Sequence, residues 1–103
     1  TLVCWIGGSG DLSTSQLAID TWGIIRLLCN GTGSKLIVNN NIPITADLGT
    51  VRNPGGFILG ARGGADAFFS NIKVKEIILR NVADNSTNEG AIYNYLNAKY
   101  NFP

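Results

Sequence analysis

Acidic side chains are the first residues to test for chemistry. Hydrolysis of a glycosidic bond commonly needs two carboxylates beside the scissile bond, and on a strand this requires Glu or Asp at alternate positions. In strand-like sequence, Glu76 stands alone between Lys75 and Ile77. The other acidic candidates fall in predicted loops or at a predicted helix start: Asp47, Asp66, Asp84 and Glu89. We therefore expect Glu76 to pair with Lys73, Lys75 or a backbone donor.

No other catalytic constellation is visible in the sequence. The chain has no histidine, which excludes histidine-based acid–base and triad chemistry. A nucleophilic role for Cys4 or Cys29 would require a partner base, and none is found beside either residue. The sequence predicts a protein that is not an enzyme.

The two cysteines, Cys4 and Cys29, lie in strand-like stretches and leave two alternatives open. If the strands are neighbours, a disulfide would stabilise the fold by about 3 kcal/mol. Otherwise both thiols behave as small apolar core residues. Two distant cysteines without histidine do not form a zinc site.

Glycan sites combine an aromatic platform with polar side chains on loops. The candidate ligand-binding residues of this type are Trp5, Arg62, Asp66, Phe68 and Asn71. Most remaining aromatics are predicted to lie in the core: Trp22, Phe57, Phe69, Tyr95 and Tyr100.

The charge balance limits the classes of partner. The chain of 103 residues carries 8 Lys and Arg against 7 Asp and Glu, a net charge of +1. No basic patch for nucleic acid or for an anionic membrane follows from this balance. The longest apolar runs, "GIIRLLC" and "EIILR", are too short to span a bilayer, so we expect no membrane insertion.

Short apolar stretches separated by turn residues predict mostly β structure within one domain, residues 1–103. Residues 1–7 are predicted to form a strand, "GGSGD" a loop, and 22–29 a strand covered on both faces. Residues 34–45 predict a hairpin that bends at Asn39–Asn41. "FILGA" predicts a short core strand, and residues 68–81 a long strand whose alternation slips at Glu76.

The C-terminal sequence changes to a helical pattern. Ser86 and Glu89 have the spacing of a capping box, with Asn85 and Asn88 as further cap candidates. One helical stripe follows from Ile92, Tyr95, Leu96 and Lys99. We expect a helix of about three turns that docks on the preceding sheet.

The ordered segments "TWGIIRLLCNGTGSKLIVNNNIPI", "FILGARGG", "FFSNIKVKEIILRN" and "NEGAIYNYLNAKY" resemble the C-terminal half of a laminin-G-like module of the concanavalin A-like superfamily. The resemblance covers residues 21–101. The positions that carry it are Trp22, Asn39, Gly60, Phe69, Ile72 or Val74, Glu76, Tyr95, Leu96, Lys99 and Tyr100. Asn40 and Asn71 depart from the pattern, because glycine is usual at both positions.

The resemblance implies an all-β antiparallel sandwich, a jelly roll, with one C-terminal helix. It also implies a partial domain, since the N-terminal half of such a module is missing or very short, so that the sandwich is completed by another chain, by a further segment, or not in the usual way. Modules of this family often hold calcium at the sandwich rim, which makes Asp66 and Asp47 candidate calcium ligands. The alternative is that both are solvated turn residues.

The expected function is non-catalytic binding of carbohydrate or of another surface, as part of a larger exported or virion-associated protein. The partner would be a glycan or another protein subunit, and the location extracellular, at a cell surface or on a virion. The alternative is a structural tail, fibre or capsid subunit that acts through protein contacts. A fragment of a glycan hydrolase is the third reading.

Overall fold

A computed structural model describes residues 2–6, 10–49, 59–60 and 70–101, and the side chains of residues 2–6, 10 and 11 are outside this description. The described part is rich in antiparallel sheet and ends in one helix, as the sequence predicts.

The first sheet is a hairpin of β1 (Leu2–Ile6) and β2 (Gly10–Thr14), which pair antiparallel from Leu2 opposite Thr14 to Ile6 opposite Gly10. The predicted N-terminal strand is confirmed. The prediction of a loop at "GGSGD" is wrong in its last two residues, because Gly10 and Asp11 already belong to β2. Within β2, Leu12 and Thr14 are buried and Ser13 between them is exposed, which is the alternation of a strand with one covered face.

The second sheet contains β3 (Ile25–Leu28), β4 (Lys35–Val38) and β5 (Ile44–Thr45) in that order, with both pairs antiparallel. The predicted hairpin of β4 and β5 is confirmed. At its bend the backbone of Asn39 is left-handed (φ 53°), and the Asn41 N–H donates to the Val38 carbonyl at 3.0 Å.

The core of the described residues lies between the two sheets. Leu12 of β2 packs with Leu36 of β4 and with Leu48, and partly buried Ile44 and Ala46 close over them. Three further apolar residues are buried, namely Ile37 and Val38 of β4 and Ile24, which precedes β3.

The expectation that residues 22–29 are covered on both faces is wrong. In β3, Ile25 and Leu27 are 38% and 40% exposed, because their side of the strand faces solvent while Arg26 and Leu28 are half-buried. A continuous apolar run therefore does not indicate two covered faces here.

The predicted long strand over residues 68–81 is not formed in its described part, residues 70–81, which have no regular secondary structure. A strand requires a neighbour that completes its backbone hydrogen bonds. Among the described residues, one backbone hydrogen bond connects residues 70–82 to an earlier part of the chain: the Ser70 N–H donates to the Gly60 carbonyl at 2.6 Å. The predicted strand "FILGA" lies outside the described residues, except for Leu59 and Gly60.

The C-terminal helix, α1 (Ser86–Tyr100), has 15 residues, which is about four turns and longer than expected. The capping box is not formed. Instead, the Asn85 side chain accepts from the Asn88 N–H at 2.9 Å, and the chain leaves the helix through left-handed Asn101. No residue of α1 is fully buried, although Ile92 and Leu96 of the expected stripe are half-buried, and Arg26 and Lys35 of the sheet pair with Glu89 of the helix.

Candidate functional site

One group of aromatic and charged side chains comes together from three separate parts of the chain. We call it the aromatic–lysine cluster. It consists of Trp22, which precedes β3, of Lys75 and Glu76 in the 70–82 segment, and of Tyr95, Lys99 and Tyr100 in the last turns of α1. The helical spacing places Tyr95 and Lys99 one turn apart on one face of α1.

Glu76 is the acceptor at the centre of this cluster. Its Oε1 accepts hydrogen bonds from Lys99 Nζ and from the Tyr100 hydroxyl, both at 2.7 Å. Lys99 Nζ also donates to the Tyr95 hydroxyl at 3.1 Å. The expected partners of Glu76, namely Lys73, Lys75 or a backbone donor, are therefore wrong, because the end of α1 supplies both donors instead.

These hydrogen bonds change the acid–base properties of the three groups. The bond from Lys99, followed by the bond from Tyr100, holds the pKa of Glu76 below its ordinary value. The bond to Glu76 in turn raises the pKa of Lys99 and that of Tyr100. Glu76 and Lys99 are therefore a charged pair at neutral pH.

Two lysines lie close to aromatic rings. Lys75 Nζ is 4.6 Å from the centre of the Trp22 ring and 5.7 Å from that of Tyr100. Lys99 Nζ lies 5.4 Å from the Tyr100 ring and 5.5 Å from the Tyr95 ring. Cation–π attraction of this kind applies to Lys75 over Trp22, whereas Lys99 Nζ is bonded to the Tyr95 hydroxyl and lies beside the edge of that ring.

The cluster is accessible to a ligand. Trp22 is 45% exposed and Tyr95 is 49% exposed, so the prediction that they belong to the core is wrong. Tyr100 is half-buried, and Phe57 and Phe69 lie outside the described residues. Exposed ring edges and faces beside a carboxylate and two ammonium groups supply apolar and polar contacts in one place.

A second polar group attaches α1 to the three-stranded sheet. Arg26 Nη1 donates to Glu89 Oε1 at 3.0 Å, and Arg26 Nη2 donates to the Asn39 carbonyl at 2.7 Å. Lys35 Nζ lies 2.9 Å from Glu89 Oε2 as an ion pair whose orientation is not that of a hydrogen bond. The Arg26 guanidinium also lies 4.3 Å from the centre of the Tyr93 ring.

This group holds the structure together, and we do not assign it a ligand. The side chains of Arg26 and Glu89 are each only 16% exposed and share one hydrogen bond, while Arg26 Nε and Glu89 Oε2 are buried without a hydrogen-bond partner among the described residues. Arg26 of β3 thus contacts the bend after β4 through the Asn39 carbonyl and the first turns of α1 through Glu89.

The residues predicted for glycan binding are not brought together by the described structure. Arg62, Asp66 and Phe68 lie outside the described residues, as does the side chain of Trp5, whose backbone pairs with Asp11. Asn71 is exposed.

Of the two candidate calcium ligands, only Asp47 is described. It is exposed, and its Oδ1 accepts from the Gly49 N–H at 2.8 Å, which is the geometry of a turn aspartate. Among the residues that the structure describes, no group of three or more His, Cys, Asp or Glu side chains could hold a metal ion.

Cys29 is a free thiol and is exposed, so the alternative of a disulfide with Cys4 is not realised here, and neither is burial of this thiol in the core. Its neighbours still remove some water from the sulfur, and this desolvation raises the pKa of Cys29. The thiol is therefore mostly protonated at neutral pH and a weak nucleophile.

One feature of the sequence could have indicated the aromatic–lysine cluster, namely the spacing of tyrosines and a lysine near the end of the predicted helix. Tyr95, Lys99 and Tyr100 occupy one side of the last helical turns, and this stripe carries donors rather than apolar groups. Its contact with Glu76 and Trp22 depends on how the chain folds back and is not visible in local spacing.

Comparison with protein-family models, with curated proteins and with solved structures finds no match for this chain. No helix within the described ranges is long and apolar enough to cross a membrane.

Proposed function

We propose that this chain is a non-catalytic carbohydrate-binding module whose binding surface is the aromatic–lysine cluster. The observation that carries the proposal is the exposure of Trp22 and Tyr95 beside the Glu76–Lys99 pair. Sugars present apolar C–H faces and hydroxyl groups, and a site for them needs ring surfaces next to hydrogen-bonding groups.

Glu76 and Lys99 fit the hydrogen-bonding part of this role. Both bonds that Glu76 receives fall on Oε1, and no described residue donates a hydrogen bond to Oε2. Oε2 is thus the acceptor for a sugar hydroxyl. Lys99 uses its ammonium group on Glu76 and Tyr95, which fixes the carboxylate in place before a ligand arrives.

In this proposal the module has the laminin-G-like jelly-roll architecture that its segments resemble, and it belongs to a larger exported or virion-associated protein. The antiparallel sheets and the C-terminal helix support that architecture. Calcium at Asp47 and Asp66 belongs to the same proposal.

The experiment is a glycan array on the purified chain, in calcium and in chelator, followed by titration of any positive glycan by isothermal titration calorimetry. Trp22→Ala is expected to weaken binding by about tenfold or more, because it removes the exposed ring. Ile42→Ala is the matched control, since Ile42 is 81% exposed and lies outside the cluster. Absence of binding in both buffers, or equal binding by the Trp22→Ala variant, would contradict the proposal.

A structural subunit of a virion is the second candidate, and a different observation favours it. Residues 72–82 expose six apolar side chains by 40–67%, namely Ile72, Val74, Ile77, Ile78, Leu79 and Val82. Exposed apolar surface concentrated in one segment is typical of protein–protein contacts. Sedimentation velocity tests this candidate, because a chain that stays monomeric at rising concentration would argue against it.

A further inference from the structure

We infer that residues 71–79 are an acceptor for a β-strand of a partner protein, and that the partner strand alternates apolar with acidic residues. The inference uses the 70–82 segment and its backbone. It rests on the second candidate function, contact with another protein through residues 72–82, and not on glycan binding, although Lys75 and Glu76 also belong to the aromatic–lysine cluster; a negative glycan array therefore does not overturn it.

The composition of the segment is that of a strand. Ile72 and Val74 alternate with Lys73 and Lys75, and the residues from 71 to 79 include neither glycine nor proline. β-branched residues at alternate positions favour extended backbone. The sequence thus specifies a strand, whereas the fold leaves this segment without one.

The missing component is a partner for the backbone. Within the described part of the chain, no backbone hydrogen bond outside regular elements joins residues 71–82 to a neighbour, since such bonds stop at Ser70 and resume at Glu89 in α1. As far as the described residues show, the N–H and C=O groups of this segment can therefore pair with another strand. Addition of a strand satisfies these groups and covers Ile72 and Val74, which are each 49% exposed.

Charge decides which kind of strand fits. Lys73 is exposed and has no ion-pair partner among the described residues, and Lys75 faces aromatic rings rather than a carboxylate. The nearby acidic groups are already used, because Glu76 is paired with Lys99 and Asp84 with Arg80. The exposed charge on residues 71–79 is therefore positive. Acidic residues of a partner strand that lie opposite the lysines complement this charge.

The same lysines disfavour a second copy of this chain. In an antiparallel pair with two-fold symmetry, a register centred on residue 75 places Lys75 opposite Lys75, and a register centred on residue 74 places Lys73 opposite Lys75. Centring on residue 76 places Glu76 opposite Glu76. Like charges directly opposite destabilise a pair of strands, and lysine at a strand edge prevents self-association.

The test uses fluorescence anisotropy with short synthetic peptides. The probe alternates valine and glutamate, and the control peptide alternates valine and lysine. We expect saturable binding of the glutamate peptide and binding of the lysine peptide that is weaker by about tenfold or more. Lys73→Glu is expected to reduce this preference.

Two variants separate strand pairing from charge attraction. Val74→Pro removes a backbone N–H from the segment and is expected to abolish binding, whereas Val74→Thr keeps the N–H and the β-branched shape and is expected to bind. Both variants should fold, because Val74 is half exposed and its N–H has no partner in the described structure; melting curves check this.

Three results would overturn the inference: no binding of either peptide, equal binding of both peptides, or unchanged binding by Val74→Pro. Sedimentation at rising concentration adds a fourth. Dimers that disappear in Val74→Pro would show that the segment accepts a second copy instead.

Discussion

The attachment of α1 to the sheet can be tested at Glu89. Glu89→Gln keeps the size of the side chain but removes the charge that pairs with Arg26 and Lys35. The guanidinium of Arg26 then remains 16% exposed, with the Asn39 carbonyl as its hydrogen-bond acceptor and with the ring of Tyr93 beside it. An unpaired charge in that position is the main source of the expected loss in stability.

The magnitude follows from the burial of the pair. Removing one partner of a fully buried ion pair costs about 3–5 kcal/mol. The residual exposure of both side chains and the acceptor oxygen that glutamine retains lower this value, so we expect a loss of about 2–3 kcal/mol in the free energy of unfolding. For a domain of this size, that corresponds to a fall in Tm of roughly 10–20 °C.

The assay is thermal unfolding followed by circular dichroism, with Asp84→Asn as the matched control. The Asp84 side chain is only 9% exposed and accepts two hydrogen bonds at 3.0 Å from Arg80, but the Arg80 side chain is 50% exposed, so its charge keeps its contact with water when the carboxylate is neutralised. Solvent screens such a pair, so the control should change Tm by only a small fraction of the effect at Glu89. Equal melting temperatures for wild type and Glu89→Gln, or an equal loss in the control, would refute the reasoning.

Four further predictions concern single residues. Because the pKa of Glu76 is lowered, its contribution to stability is complete above about pH 4.3 and is lost as the pH falls through the folded-state pKa; the Tm difference between wild type and Glu76→Gln should therefore shrink in acid, and a constant difference would contradict this. Asn85→Ala removes the acceptor for the Asn88 N–H and should cost about 1 kcal/mol in urea unfolding. Gly90→Ala should stabilise by up to about 1 kcal/mol, because a methyl group there meets nothing within 4 Å; a lower urea midpoint would show a hidden contact. Asn39→Ala should destabilise by about 1–2 kcal/mol, since it strains a left-handed backbone and leaves the Ile24 N–H without its acceptor at 2.9 Å; if strain alone mattered, glycine at this position would be harmless.

The features that the sequence predicted best are local ones. The hairpin of β4 and β5 was predictable because the asparagines of its bend tolerate the backbone that a tight turn requires, and Asn39 additionally bonds the Ile24 N–H. The existence of α1 was predictable from its pattern, although its cap is Asn85 rather than the Ser86–Glu89 box, because Glu89 is used by Arg26 and Lys35.

The failures concern contacts that are distant in sequence. β2 was not predicted, because both its exposed Ser13 and its buried Thr14 are polar, so its sequence shows no apolar alternation at these positions. Its pairing with β1 determines which of the two is buried. The aromatic–lysine cluster was not predicted, because Glu76 and Lys99 are 23 positions apart and Trp22, which precedes β3, is still more distant from both in sequence. The jelly-roll sandwich remains a proposal.

The way in which α1 is held has a consequence for its behaviour in salt. No side chain of α1 is fully buried, and the helix is held at one end by Arg26 and near the other by Glu76, so charged contacts contribute to its attachment beside the half-buried Ile92 and Leu96. Ions weaken exposed pairs such as Glu76–Lys99 first and half-buried ones later. Raising the ionic strength should therefore release the helix from its C-terminal end, and its amides should exchange with deuterium long before those of β4.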